Sequence, residues 1–322
     1  MLKFIFRRIL VMIPQLLILS VLIFLLAKAM PGDALTGRLA SNPKMDAQTI
    51  HELKVKLGMY DPFYIQYGRW IKGLLHGDLG MSIIHQTPVT QLIAGKLGNT
   101  ILLGFAILVL SYLIAIPLGI IGGRWTDTWA DKLIVGYNYL TYATPLFIFA
   151  LLMLFIFGFV LNWFPTSGSV DIRVEDGSLA YYMSKLNHLI LPAFSGAIVS
   201  TTITIQYLRN EIIDTKIKDF VKMARAKGVS ESKVYTRHIF RNSLLPIAAF
   251  LGYDIVSLIG GSVFLESIYG YPGIGQLFVT SISQRDYSVV TALVMISGLA
   301  TLIGTLLSDL ILSAVDPRIR IE

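Results

Sequence analysis

Six stretches of the chain are almost entirely apolar, and each is long enough to cross a lipid bilayer as a helix. About 20 consecutive apolar residues span the hydrocarbon core in α-helical conformation. Polar segments separate the stretches, so the pattern predicts an all-α integral membrane protein with six transmembrane helices. The apolar windows cover residues 9–27, 101–123, 133–164, 186–208, 244–265 and 287–307.

The first apolar window has one competing interpretation, a cleaved signal peptide, because Lys3, Arg7 and Arg8 precede it. Its apolar run is longer than the roughly 7–15 residues typical of such a peptide. Lys28 also stands between two alanines, where a cleavage site needs small neutral residues. We therefore expect residues 1–30 to form a retained first transmembrane helix.

Basic residues are distributed unevenly between the two sides of the predicted spans. With the N-terminus inside, the cytoplasmic side receives most of them, including nine Lys or Arg against four acids in residues 209–241. The short outer loops keep only Arg173, Lys185 and Arg285. Lys and Arg are enriched on the cytoplasmic side of membrane proteins. Both termini are therefore predicted to be cytoplasmic.

The segment between the first two windows is too long for a simple connector. Apolar positions recur in it at helical spacing, which predicts a small helical cap outside the membrane. Its aromatic residues either fill the core of that cap or contact a partner. The predicted organisation is a first helix in residues 1–30, the outer loop in 31–96, a core of five spans in 97–313 that contains a cytoplasmic segment 209–243, and a cytoplasmic tail in 314–322.

The composition supports a membrane protein and excludes several kinds of site. Hydrophobic residues make up 54% of the chain and charged residues 15%, and the mean hydropathy is +0.67. Without cysteine there is no disulfide, thiol nucleophile or thiolate metal site. The net charge of +7 reflects topology and contact with anionic membrane lipid rather than nucleic acid. The five histidines lack the paired spacing of a helical metal site, so no metal ligand is predicted.

The cytoplasmic segment contains a short amphipathic helix. Asp219 is a suitable N-cap and Gly228 a suitable residue after the C-terminus, which predicts about two helical turns from Phe220 to Lys227. Its apolar side carries Phe220, Val221, Met223 and Ala224, and its basic side carries Lys218, Lys222 and Arg225. Such a helix either receives force from a soluble partner or lies as a basic loop against lipid headgroups.

Polar residues within the apolar windows are candidates for a translocation pathway. Asp254 lies about 15 Å along a helix from Leu244, and an ionisable group at such depth is costly. It is suited either to bind a cationic group in transit or to pair with a polar group of a partner. Ser195, Thr202 and Gln206 form a polar stripe, which either lines the passage or makes hydrogen bonds between helices.

Ordered motifs along nearly the whole chain resemble those of one transporter family. They are Arg7-Arg8, Pro31-Gly32-Asp33, Leu57-Gly58, Asp61-Pro62, Gln66-Tyr67, Trp70, Gly77-Asp78-Leu79-Gly80, Asn99-Thr100, the run from Ala224 to Gly228, Arg237-His238, Arg241-Asn242, Leu245-Pro246, Gly261-Ser262, Glu266, Tyr271-Pro272-Gly273-Ile274-Gly275, Arg285-Asp286 and Asp316-Pro317-Arg318. The chain resembles a permease subunit of the oligopeptide, dipeptide and nickel group of binding-protein-dependent ABC importers, of the type with a large first outer loop.

The chain departs from this family at a few positions. The general ABC-permease signature has Glu-Ala-Ala where this chain has Lys222, Met223 and Ala224, so it lacks the acidic group at position 222. Ala34 and Ser288 stand where relatives often have proline. These differences affect details of the site and leave the resemblance intact.

The resemblance implies a type I importer permease in the cell membrane of a prokaryote. Its expected partners are a homologous permease, two ATPase subunits and an exterior substrate-binding protein. The coupling helix implied by the resemblance comprises Asp219, Phe220, Lys222, Met223, Ala224, Arg225, Lys227 and Gly228. ATP and magnesium are expected on the ATPase partners and no cofactor on this chain, which has no Gly-x-x-x-x-Gly-Lys-Ser/Thr phosphate loop.

The chain is thus expected to be a transport subunit and not an enzyme. The first choice of substrate is an oligopeptide, the second a dipeptide, and the third nickel or a metallophore. A stand-alone secondary transporter should show inverted repeats or several buried carboxylates, and neither is visible. An intramembrane enzyme needs a catalytic pair within the spans, and none stands out.

Overall fold

The computed structural model describes residues 2–29, 47–56, 58–258 and 262–315. Within these ranges every regular element is a helix, and an isolated β-bridge joins Met81 to Pro88. The all-α prediction is confirmed. Several positions named above lie outside the described residues, namely Pro31-Gly32-Asp33, Ala34, Leu57, Gly261 and the part of the tail in residues 316–322.

The helices differ widely in length. The long ones are α1 (Leu2–Ala29), α4 (Val89–Arg124), α7 (Leu179–Lys216) and α14 (Tyr287–Val315). The others are α2 (Ala47–Lys56), α3 (Phe63–Leu75), α5 (Trp129–Ala143), α6 (Leu146–Met153, continued by the π-helical Leu154–Val160), α8 (Asp219–Ala226), α9 (Glu231–Lys233, continued by the π-helical Val234–Ile239), α10 (Phe240–Ser243), α11 (Leu245–Ser257), α12 (Val263–Ile268) and α13 (Ile274–Ser283).

Among the described residues, four helices are long and apolar enough to cross a membrane. They are the four long helices, and they correspond to the first, second, fourth and sixth apolar windows. α4 begins at Val89, within the segment assigned to the outer loop, directly after Pro88. Proline is tolerated at a helix start because the first turn leaves its backbone N–H groups unbonded.

The third window, residues 133–164, does not form a single helix. α5 and α6 lie at 100° to each other, which makes the pair a broken span or a re-entrant element. The break falls at Thr144, whose backbone is extended. The ring of Pro145 causes this, because a residue before proline is forced out of the helical conformation.

The fifth window, residues 244–265, contains α11 and part of α12. α11 has 13 residues, fewer than the roughly 20 that cross the hydrocarbon core. Residues 259–261, between these helices, lie outside the described ranges. Where six spans were predicted, the described helices therefore supply four, or five if α5 and α6 count as one.

Two closely packed helix pairs form the centre of the fold. In the first pair, α4 and α7, a Cβ atom on Gly119 would press against Leu208 and one on Gly123 would overlap Ile212. In the second pair, α11 and α14, a Cβ atom on Gly252 would overlap the backbone of Ser308. Small residues allow this close approach of helices in a membrane.

α1 lies at the edge of the fold and packs against α14. Arg8 forms an ion pair of 2.7 Å with Asp309 near one end of this contact. Leu10, Leu17 and Leu26 on α1 are at least half exposed. Apolar residues exposed along a spanning helix are suited to contact lipid chains.

The described part of the outer loop packs on α1 through an aromatic cluster. The Phe24 ring lies 5.4 to 5.6 Å, between centroids, from the rings of Phe63, Tyr67 and Trp70 on α3. The Tyr67 hydroxyl is also 2.8 Å from that of Ser20. These aromatic residues therefore contact the first helix of the same chain as well as one another.

Candidate coupling surface and translocation cavity

α8 coincides closely with the predicted coupling helix. It begins at Asp219, and Lys218 occupies the N-cap position without a side-chain hydrogen bond, so the prediction of Asp219 as the N-cap is wrong by one residue. The Asp219 carboxylate instead lies in the first turn, where a negative charge interacts favourably with the helix dipole.

The C-terminus of α8 has the predicted glycine ending. Gly228 has a φ of +76°, a conformation that favours glycine. The Gly228 N–H donates to Arg225 O (2.9 Å), and the Val229 N–H donates to Ala224 O (3.2 Å). This pair of hydrogen bonds is the Schellman motif, which satisfies the last carbonyl groups and stops the helix.

The apolar residues of α8 divide between a buried face and an exposed face. Val221 and Ala224 are buried, at 0% and 6% exposure. They pack in a cluster that includes Leu208, Ile212, Val234, Ile239 and Ile247. Phe220 and Met223 are exposed, at 39% and 57%, as is Ile217 just before the helix. Residues three apart lie on one side of a helix, so these three form an exposed apolar surface, which we call the α8 knob.

Charged side chains around the α8 knob pair with one another. Lys222 Nζ lies 3.1 Å from Asp219 Oδ1, and Arg225 Nε lies 2.7 Å from Glu231 Oε1. The hydrogen bond from Arg225 lowers the pKa of the Glu231 carboxyl. Because these side chains are solvent-exposed, the pairs contribute little to stability. Lys222, which replaces the acid of the family signature, points its charge into solvent and towards Asp219.

A buried ion pair joins α5 to α7 close to α8. Asp131 on α5 is 2% exposed. The Arg209 guanidinium donates to both of its carboxylate oxygens, at 2.6 and 2.8 Å. Bidentate pairs of this kind fix both distance and orientation. The sequence offers one signal for this pair, because Asp131 is an acid in the first turn of a helix that follows a loop. Arg209 by itself indicates only topology.

The loop between α4 and α5 contacts the segment that follows α8. The Arg124 guanidinium carbon lies 4.8 Å from the ring centroid of Trp125 and 4.7 Å from that of Tyr235. Lys216, at the end of α7, donates to the Thr126 hydroxyl at 3.0 Å. Guanidinium groups over aromatic faces attract by about 0.5–1 kcal/mol when exposed. The end of α4 and the loop after it thus contact both the end of α7 and the segment that follows α8.

A cavity of about 540 Å³ lies between α4, α7 and α11. Asp254, one of the predicted pathway residues, lines it together with Tyr112, which was not among those predicted. The Tyr112 hydroxyl donates to Asp254 Oδ2 at 2.8 Å. Ser200 and Thr204 supply further hydroxyl groups from α7.

The other three predicted pathway residues lie away from this cavity. Ser195 is fully buried and 2.8 Å from the Tyr269 hydroxyl, and Thr202 is 2.7 Å from the Thr141 hydroxyl. These are the hydrogen bonds between helices that the alternative interpretation predicts. Gln206 is exposed on α7. The face of α7 that lines the cavity is offset by one residue from the predicted stripe.

Glu266 is a fully buried acid in the α12–α13 hairpin (residues 263–283). The Thr100 hydroxyl donates to its Oε1 at 2.8 Å, and the Gln276 N–H donates to its Oε2 at 3.1 Å. The Ile274 N–H in turn donates to the Thr100 oxygen at 2.7 Å. A Cβ atom on Gly273 would overlap the carboxylate. The turn between the two helices therefore closes around Glu266, whose charge lies at the N-terminus of α13.

A second buried acid, Asp286, precedes α14. It is 1% exposed. The Ser82 hydroxyl and the Ile84 N–H donate to its Oδ2, and the His85 N–H donates to the Ser82 oxygen at 2.9 Å. The carboxylate thus holds the loop before α4 against the start of α14. In the described ranges, no group of three His, Asp or Glu side chains is arranged to hold a metal ion.

Two family models match the chain and together cover most of it. Residues 115–321 match the model described as "Binding-protein-dependent transport system inner membrane component". Residues 1–104 match the model for the N-terminal region of binding-protein-dependent transport system membrane components. The N-terminal match ends within α4, and the second match begins further along the same helix.

Full-length relatives agree with these models. The chain is 38% identical over 320 residues to the oligopeptide transport system permease protein AppB of Bacillus subtilis (strain 168), covering 99% of both chains. It is 31% identical over 320 residues, again 99% of both, to the glutathione transport system permease protein GsiC of Escherichia coli (strain K12).

Among solved structures, an inward-facing conformation of the MetNI methionine ABC transporter aligns with a TM-score of 0.53 at 15% identity, over 70% of this chain and 97% of that one. At this identity the likeness concerns the fold alone, which is the all-helical fold of ABC importer permeases. Taken with the two family models and the relatives, it leads to one conclusion. The chain belongs to the family of binding-protein-dependent transport system inner membrane components, and is a multi-pass permease subunit of a bacterial ABC importer.

Proposed function

We propose that this permease forms, with a homologous permease, the translocation pathway of an ATP-driven importer of short peptides. An oligopeptide is the first choice of substrate, because a relative named for oligopeptide transport is 38% identical. The relatives named for glutathione, which is a tripeptide, are 31–32% identical and support the same chemical class. A dipeptide is the second choice, and nickel or a metallophore the third.

α8 is proposed as the helix that docks on an ATPase subunit, and the α8 knob is the observation that carries this proposal. Ile217, Phe220 and Met223 are apolar and exposed, while Val221 and Ala224 fix the opposite side of the helix to the core. A helix held firmly on one side and apolar on the other is suited to fill a groove on a partner. Lys222 and Arg225, each paired with an acid, lie beside the apolar contact.

Force from the ATPases would reach the spans through the contacts beneath α8. The cluster around Val221 includes Leu208 on α7 and Ile247 on α11, and Arg124 links the neighbouring loop to Tyr235. Closure of the two ATPases on ATP would move these helices together and change the pathway from inward-open to outward-open. ATP and magnesium belong to the ATPase subunits in this proposal.

The proposed topology has six spans with both termini in the cytoplasm. α5 with α6 supplies the third span and α11 with the residues after it the fifth. The distribution of Lys and Arg supports this arrangement, because it puts residues 209–241, which contain α8 and carry nine Lys or Arg against four acids, inside. Residues 31–96 then lie outside, where an exterior binding protein delivers substrate.

Thiol crosslinking provides the direct test, because the chain has no cysteine of its own. Met223→Cys, in the assembled importer, should crosslink to an ATPase subunit. Lys132→Cys, exposed at the start of α5 on the same predicted side, serves as the control and should crosslink weakly. Equal yields from the two positions, or none from residue 223, would contradict the docking of α8.

Reconstitution tests the transport function itself. Liposomes that contain this permease, its partner permease and the ATPases should accumulate labelled peptides only with ATP and the binding protein. The purified chain alone should transport nothing. Uptake by the chain alone, driven by an ion gradient, would instead establish a secondary transporter.

A further inference from the structure

The cavity between α4, α7 and α11 has a single charged residue on its wall. Of the described residues that line it, Asp254 is the only Asp, Glu, Lys, Arg or His. A carboxylate in a medium of low dielectric constant attracts cations and repels anions much more strongly than it does in water.

Tyr112 holds the Asp254 carboxylate in place at the cavity. Its hydroxyl donates to Oδ2 at 2.8 Å across the gap between α4 and α11. The hydrogen bond therefore fixes the orientation of the carboxylate at the wall of the cavity.

The rest of the wall is suited to uncharged parts of a small molecule. Ile107, Ile203 and Leu265 supply apolar surface, and Ser111 and Ser200 supply hydroxyl groups. The volume of about 540 Å³ falls within the roughly 300–1,000 Å³ typical of pockets for small molecules. Charge at one point and apolar surface around it fit an amphiphilic ligand with one cationic end.

We propose that this cavity is a transient substrate site that binds a cationic group at Asp254. The ligand class is a short peptide, held through either its α-ammonium group or the side chain of a Lys or Arg. Tyr112 acts as a positioning residue that orients the carboxylate. The inference rests on the proposed peptide importer and adds a selectivity for charge within the membrane subunit.

A labelling experiment tests the charge preference without relying on transport. Ser200→Cys places one thiol on the cavity wall of an otherwise cysteine-free chain. In the assembled importer its reaction rate is measured with a cationic trimethylammonium-ethyl methanethiosulfonate and with the anionic sulfonato-ethyl analogue. The ratio of the two rates cancels the reactivity of the thiol itself. Asp254→Asn should lower the cation-to-anion ratio by about tenfold.

Asp176→Asn is the matched control, because this acid is exposed in the loop before α7 and its loss changes the net charge equally. It should leave the ratio unchanged. Asp254→Glu, which keeps the charge, should also preserve it. An unchanged ratio in Asp254→Asn would overturn the proposal.

Peptide uptake separates the two sources of the cation. Lysine-containing, neutral and glutamate-containing tripeptides with free amino groups are compared in the reconstituted importer. If the side chain binds Asp254, Asp254→Asn should slow the lysine peptide at least several-fold more than the other two. If the α-ammonium group binds, all three should slow, and Asp254→Glu should restore them. Unchanged uptake of all three would overturn the site.

The two proposals fail in distinguishable ways. If the unmodified importer shows no ATP-dependent peptide uptake, the proposed function is wrong, whereas the labelling ratio still reports the charge preference of the cavity. If uptake is normal and Asp254→Asn matches the unmodified protein in both assays, only the cavity proposal is wrong.

Discussion

The segment around α8 and the α12–α13 hairpin use charged residues in opposite ways. Around α8, Asp219, Lys222, Arg225 and Glu231 are exposed and pair with one another. In the hairpin, Glu266 is buried and bound by a hydroxyl group and backbone N–H groups. Exposed pairs contribute little to stability, whereas breaking the hydrogen bonds of a buried group costs about 1–3 kcal/mol for each partner left unsatisfied. The first region is suited to meet another protein and the second to hold the chain in place.

Loss of the buried carboxylate should have the largest effect. Glu266→Ala leaves the Thr100 hydroxyl and the Gln276 N–H without their acceptor. We expect the free energy of unfolding to fall by about 3 kcal/mol or more. The measurement is thermal unfolding of the detergent-solubilised complex, followed by circular dichroism. Glu175→Ala, at an exposed acid before α7, is the control and should unfold like the original protein; equal stability of the two variants would contradict the structural role of Glu266.

Substitutions on the buried and the exposed face of α8 should change different measured properties. Both effects should be smaller than that of Glu266→Ala. Val221→Ala removes buried methyl groups and should destabilise the docking of α8 by about 1–2 kcal/mol. Faster hydrogen exchange in residues 219–229 would report it. Phe220→Ala should leave that exchange unchanged, because the ring is already 39% exposed, but should weaken ATPase binding. If Phe220→Ala instead speeds exchange as much as Val221→Ala does, the two faces are not distinct.

Acidification should have the smallest effect, since it acts on an exposed pair. Arg225 lowers the pKa of Glu231 below its ordinary value of 4.5, so the pair adds stability above about pH 4.5 and loses it as the pH falls through the lowered value. The protection of amides in residues 225–233 against hydrogen exchange, measured relative to the intrinsic exchange rate at each pH, should therefore fall slightly at acidic pH. Glu231→Gln should remove this dependence, and an identical pH profile in the variant would show that the pair contributes nothing.

The sequence predicted α8 almost to the residue because the signals for it are local. A glycine after the last turn requires no knowledge of the rest of the fold. The start was misplaced at Asp219 because an acid is equally favourable in the first turn, which is where the structure has it. The division of the apolar side into a buried and an exposed half was not predictable, since it depends on which residues pack beneath the helix.

Features that depend on contacts between distant segments were harder to predict. The polar stripe on α7 was recognised, but periodicity does not reveal which neighbour a stripe faces, and Ser195 and Thr202 face other helices. Glu266 entered only as part of a family motif, because Thr100, which binds it, is 166 residues away. The bend before Pro145 has a local signal, which is the proline itself. The apolar window around it is long enough for one unbroken span, so its length favoured a straight helix.

Glycine contacts within the two central helix pairs constrain how the cavity can change shape. α4 cannot separate from α7, nor α11 from α14, without losing tight packing at Gly123 and Gly252. The space beside Asp254 lies between the pairs, where such packing is less extensive. We expect each pair to rotate as one rigid lever, so that residues far apart along a single helix report the same angular displacement during a transport cycle.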